Sequence, residues 1–277
     1  MSLIEAARDA TDLRRVAAAL RGTVIQMSHD AQTPHLGSAL SCIDILTAAY
    51  WGVLSIDPAQ AGAPGRDRFI LSKGHAATAL YATLAARGFF GQATLDSYHT
   101  DGGALAEHPG PRCAPGIEAA TGSLGHGLSI GIGHALAARI GGLKYRVFVL
   151  LSDGECNEGA VWEAALFGGA QRLGDLCAIV DYNKWQATGR SEETMALAPL
   201  ADKWRAFGWE TVEVDGHDLD ALVEAMNVRS SLGAPRAIVA HTVKGRGVSF
   251  MEDDNNWHYR IPNDAEVASA FHELGLA

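Results

Sequence analysis

The sequence predicts an α/β fold, a doubly wound, mostly parallel sheet with helices on both faces. Three observations carry that expectation. Apolar runs at residues 147–151 and 176–180 read as buried strands and stop at the turn residues Ser152-Asp153-Gly154 and Asp181-Tyr182-Asn183. Residues 160–171, lying between the two runs, have helical composition. The alternation then repeats: strand at 210–214, turn Asp215-Gly216-His217-Asp218, helix at 219–231, strand at 236–241.

Taken in order, Leu13, Val16, Ala17, Leu20, Val24 and Met27 recur at helical spacing, so residues 3 to about 28 read as one or two amphipathic helices. A polar loop with Pro34 and Gly37 leads into an apolar helix, and His35 lies where the helix starts. Residues 54–68 change to Pro, Gly, Asp and Ala and read as a loop. The strand-like RFILS ends at Lys73-Gly74-His75. Residues 102–127 are rich in glycine and proline and too long for a passive connection, which marks a functional loop. A small-residue helix over 128–140 follows it. After the central α/β unit comes a loop with a short amphipathic helix, and the chain finishes with a glycine-containing charged loop and a last helix. With no repeat or linker, a single domain over 1–277 is expected.

Composition narrows the function. The 277 residues are 48% hydrophobic and 19% charged, as in an ordinary soluble globular chain. A formal charge of -10 without a Lys/Arg cluster argues against nucleic acid and anionic membranes as partners. Cys42, Cys113, Cys156 and Cys177 have no CxxC spacing, which fits a reduced, cytoplasmic setting. There is neither a signal-like h-region at the start nor an apolar run of membrane-spanning length.

The chemistry concentrates at strand ends. Asp153 and Asn183, with 28 residues between Gly154 and Asn183, would face one crevice at the sheet's carboxyl edge if their strands are parallel neighbours. Two hard oxygen donors there suit Mg²⁺ or Ca²⁺ bridging a phosphate compound. TGSLGHG, residues 121–127, offers backbone N–H groups at a helix N-terminus, a second anion-binding arrangement. His35, His75, His108 and His258 lie in loops and could form a proton-shuttling wall. His29, His99, His134, His217 and His272 read as solvated or internally satisfied histidines. Glu158 reads as a helix N-terminal carboxylate.

These residues carry a resemblance. Ser152-Asp153-Gly154, 28 residues, then Asn183 resembles the GDG…N motif of thiamine diphosphate enzymes. RDRFILSKGHAATALY, EHPG…GIEAATGSLGHGLSIGIGHALA, EGAVWEA and VDGHD resemble the N-terminal part of transketolases, above all the form split over two polypeptides, along essentially the whole chain.

The resemblance implies a two-carbon ketol transfer from a ketose phosphate to an aldose, using thiamine diphosphate and Mg²⁺, with Ca²⁺ or Mn²⁺ as substitutes. It implies Asp153, Asn183 and the Trp185 carbonyl as metal ligands. Gly122, Leu124, Gly154 and Glu155 fall where such chains approach the cofactor, and His35, His75, His108 and His258 match the histidines around the thiazolium, diphosphate and sugar. Lys244 either reaches the diphosphate or is a solvated loop lysine. Glu158 matches an interface glutamate linked to the partner's cofactor-activating glutamate. Ser152 stands where the motif has glycine, His126 where the family often has Gln, and Thr33-Pro34-His35-Leu36-Gly37 departs from SGHPG, which leaves His29 a competitor of His35. The pyrimidine-binding and C-terminal domains are expected on a separate polypeptide, in an α2β2 assembly. The alternatives are one half of a deoxyxylulose-phosphate synthase or 2-oxo acid decarboxylase, a catalytically silent cofactor-binding paralogue, and, least favoured, a dinucleotide-dependent oxidoreductase.

Overall fold

The computed structural model describes residues 2–230 and 232–277. Five strands, β1 (Arg68–Leu71), β2 (Val147–Ser152), β3 (Leu176–Tyr182), β4 (Glu210–Asp215) and β5 (Arg236–His241), form one sheet in the order β1-β2-β3-β5-β4. All neighbouring pairs are parallel, so every carboxyl end lies on one edge. In register, Ser152 pairs with Asp181 and Tyr182 with His241, which brings the residues following β2, β3 and β5 side by side.

β2 and β3 are buried along their whole length because both faces are covered. Phe148, Leu150, Ile179 and Ile238 pack into one apolar core, with Leu20, Ile25, Leu40 and Ile45 of the N-terminal helices. The alternate residues Val149, Leu151, Val180 and Val239 pack into a second core on the other face, with Leu128, Ile132 and Val161. The period of two along each strand thus sorts one continuous apolar run into two layers.

The N-terminal stretch is two helices, Leu3–Asp9 and Leu13–Ala31, separated because the Asp12 side chain accepts from the Arg14 N–H and starts the second one afresh. The expected helix over 219–231 ends earlier, at Asn227, and Ser231 lies outside the described residues. Helices Gly127–Ile140 and Gly159–Ala170 match expectation within a residue. Residues 102–126 contain neither helix nor strand, in keeping with a long loop. No helix among the described residues is long and apolar enough to cross a membrane. All four cysteines are free thiols.

Candidate functional site

A pocket of about 450 Å³ opens at the carboxyl edge of the sheet. One wall is made of imidazoles. His35 comes from the start of helix Leu36–Ser41, His75 from the turn after β1, His108 from the long loop and His258 from the turn Asn255–His258. The His35 ring centroid lies 5.5 Å from that of His75, 6.0 Å from His108 and 5.0 Å from His258. Four residues distant in sequence therefore share one surface. His35 has a left-handed backbone, φ 72°, uncommon without glycine, while its own N–H donates to the His258 carbonyl.

Close backbone approach makes this wall possible. A Cβ on Gly74 would sit 2.5 Å from the Thr121 carbonyl carbon, so the turn carrying His75 and the loop carrying Gly122 can meet only through glycine. Gly122, at φ 142°, would place a Cβ 2.8 Å from the His108 ring.

Burial sets the protonation of the wall. It pushes His75 well below the usual imidazole range, lowers His35, and with the nearby Lys244 lowers His258 to about 3. These three rings are neutral at pH 7. They can exchange hydrogen bonds but are not fixed cations.

The opposite side comes from β2 and β3. Asp153 is fully buried; its Oδ1 accepts the Gly154 N–H at 2.8 Å and its Oδ2 accepts the Lys184 N–H and the Ser191 hydroxyl, each at 2.8 Å. Burial outweighs these donors and pushes its carboxyl up to about 6. A carboxylate fixed by three donors yet disfavoured as an anion suits a cation beside it. Asn183 accepts the Trp185 N–H on Oδ1 at 3.1 Å, and Asn183, Trp185 and Gly154 all line the pocket. Among the described residues no group of three or more His, Cys, Asp or Glu is placed to hold a metal ion. One carboxylate and one amide, completed by ligand oxygens and water, suit Mg²⁺ better than a thiolate- or imidazole-bound metal.

The other expected residues divide between the pocket and its surroundings. Gly122 and Leu124 line the pocket, but the Glu155 side chain is fully buried behind it. Its carboxylate accepts from the Ser72 hydroxyl, from Ser152 N–H at 3.2 Å and from Gly125 N–H at 2.8 Å. The Gly125 amide in TGSLGHG is therefore engaged by the chain's own carboxylate. Lys244 is not a solvated lysine: it is fully buried, with Nζ donating to Asn255 Oδ1 at 2.7 Å and to His258 Nδ1 at 3.0 Å. Glu158 is exposed at the pocket's rim, at the N-terminus of helix Gly159–Ala170 without capping it. His29 lies elsewhere, 2.9 Å from both Asp30 and Asp264, and His126 is exposed, so His35 alone of the competing pair joins the wall.

Two features were not anticipated. Lys73 and Asp181 form a fully buried ion pair beneath the site, with Ser41 and Thr242 hydroxyls also donating to Asp181. Both residues close apolar strands, which was the available signal. Gln186 lines the pocket beside Gly154, and its buried Nε2 has no acceptor. An unpaired buried donor beside Gly154 suits an anionic ligand there, and nothing local in the sequence marks it.

Comparison with known proteins finds clear relatives of the chain. The family described as transketolase, thiamine diphosphate binding domain, matches residues 13–277. One of the subunits of the apulose-4-phosphate transketolase of Phocaeicola vulgatus is 38% identical over 255 residues, covering 92% of this chain and 90% of that one. A 6-deoxy-6-sulfo-D-fructose transketolase subunit of a Clostridium species is 42% identical over 242 residues, covering 87% and 88%. Among solved structures, the transketolase from Leishmania mexicana superposes with a TM-score of 0.87 at 25% identity, over 96% of this chain and 41% of that one. The chain thus spans about two fifths of that solved transketolase.

Proposed function

Because the chain belongs to the transketolase family, matching its thiamine diphosphate-binding domain, we propose that it is the N-terminal subunit of a split transketolase, transferring a two-carbon ketol unit from a ketose phosphate to an aldose. The observation that carries this reading is the convergence of four histidines on the strand edge that holds Asp153 and Asn183. Thiamine diphosphate, when bound there, would supply nucleophilic carbon chemistry toward the ketose carbonyl. Asp153, Asn183 and the Trp185 carbonyl would hold Mg²⁺, with Ca²⁺ or Mn²⁺ as substitutes, and Gly154 would lie at the diphosphate. His35, His75, His108 and His258 would hold the sugar hydroxyls and move their protons.

The neutral wall supports a second subunit. The uncharged rings of His35, His75 and His258 grip an anionic sugar terminus poorly, and Lys244 is committed to Asn255 and His258. The cations for that terminus, together with the pyrimidine-binding and C-terminal domains, would come from a partner in an α2β2 assembly, meeting this chain near Glu158. Relatives named as subunits support this, and their names support a donor ketose ending in phosphate or sulfonate. The four free thiols fit a cytoplasmic enzyme.

Co-purification with the partner subunit, followed by assay of ketose and aldose pairs with thiamine diphosphate and Mg²⁺, tests the reading. Transfer by the complex and none by the chain alone is expected. Normal turnover by the chain alone would overturn the split enzyme, and a complex that binds cofactor without forming product would identify a silent paralogue.

A further inference from the structure

Outside the pocket, a buried group of three side chains grips the backbone on both sides of Lys244. The Val243 N–H donates to His217 Nε2 at 2.9 Å. A ring nitrogen that accepts from a backbone amide carries no proton, so the proton of the neutral ring is on Nδ1, which donates to Asp44 Oδ2 at 2.7 Å. The same Asp44 oxygen accepts from Arg21 at 2.6 Å, and the Arg21 Nε–H donates to the Arg246 carbonyl at 2.9 Å. One carboxylate therefore ties the group that holds residue 243 to the group that holds residue 246.

Between these anchors the Gly245 N–H donates to the Gly37 carbonyl at 2.9 Å, and Lys244 turns inward to His258. An ammonium only donates. His258 Nδ1 must then accept, which puts the proton of the neutral ring on Nε2. His258 lines the pocket, so this N–H is the donor it can offer a ligand. Asp44 and Arg21 are 5% and 7% exposed, and neither lines that pocket.

We propose that Asp44, acting through His217 and Arg21, is a positioning residue that holds the segment 243–246, seats Lys244 against His258 and so fixes His258 as an Nε2–H donor. This rests on the reading of the histidine wall as the working face of the ketol-transfer site. It also gives His217 a task in the turn Asp215-Gly216-His217-Asp218, where an ordinary satisfied histidine was expected.

The test uses the full chain without substrate or partner, so that its outcome is separate from the ketol-transfer reading. His217→Asn keeps a donor for Asp44 but loses the acceptor for Val243, whereas His217→Gln can place its amide oxygen near the Nε2 position and its NH₂ toward Asp44, and so keeps both contacts. Histidine ¹⁵N NMR reports the His258 tautomer, and amide exchange reports the segment. In His217→Asn the Val243 amide is expected to exchange about tenfold faster, the worth of one hydrogen bond, and His258 to lose its single Nε2–H form; His217→Gln restores both. Asp44→Asn shifts both readouts in the same direction, and should it not fold, the His217 pair still decides. An unchanged His258 tautomer in His217→Asn, identical behaviour of the Asn and Gln variants, or an Nδ1–H form in the wild type overturns the proposal.

Discussion

Lys73 and Asp181 form an ion pair with both side chains fully buried, joining the carboxyl ends of β1 and β3 beneath the site. Burial alone would raise the Asp181 carboxyl, but the Lys73 ammonium and the donors Ser41 and Thr242 outweigh it and hold it below the usual range. Removing one partner strands the other. Lys73→Met is expected to destabilise the chain by about 3–5 kcal/mol, and Lys73→Met with Asp181→Leu to recover a large part of that. Denaturant unfolding measures both; a single variant within about 1 kcal/mol of wild type would show that the pair is not the anchor described.

Gln186 gives a prediction with two opposite signs. Its buried Nε2 lacks an acceptor in the free chain, a cost of about 1–3 kcal/mol for an unsatisfied donor. Gln186→Met removes that donor with little change in volume. The free chain is expected to become more stable and thiamine diphosphate with Mg²⁺ to bind about tenfold more weakly, in line with one lost charge-assisted hydrogen bond. Thermal unfolding and calorimetry separate the two effects, and weaker stability with unchanged binding would contradict the assignment.

Much of this site could be read from the sequence because its parts sit where strands stop. Asp153, Asn183 and His75 follow apolar runs, and the parallel alternation puts such ends on one edge. The helix expected to reach residue 231 stops at Asn227, an end that no strong breaker marks, since the next glycine is Gly233. TVKGRG is locally polar, which leaves a solvated Lys244 open beside one that reaches the diphosphate; partners distant in sequence, among them Gly37 more than two hundred residues away, bury it. The roles of Gln186, Asp181 and His217 depend on side-chain partners that no local pattern encodes.

The depressed histidines make stability fall in acid. An unfolded imidazole takes a proton near its ordinary value of 6.5, whereas His258 resists until about 3 and His75 and His35 are also lowered. The unfolded state therefore binds more protons as pH falls, and the stability these groups contribute is present above about 6.5 and lost progressively below it. Asp153, raised to about 6, acts in the opposite direction between about 4 and 6. Comparing wild type with His258→Phe isolates the imidazole contribution. The fall in Tm between roughly pH 7 and pH 5 is expected to be shallower in the variant; equal slopes would show that His258 is not held neutral by the fold.

Titration calorimetry of thiamine diphosphate with Mg²⁺ shows whether the edge formed by β2 and β3 anchors a metal-bound diphosphate. The comparison is wild type against Asp153→Ala, with Asp153→Asn as the variant that keeps an oxygen for Lys184 N–H and Ser191. Metal-dependent binding is expected in the wild type and a loss of roughly 100-fold or more in both folded variants, since each removes the only carboxylate assigned to the ion. Unchanged affinity in folded Asp153→Ala would contradict it.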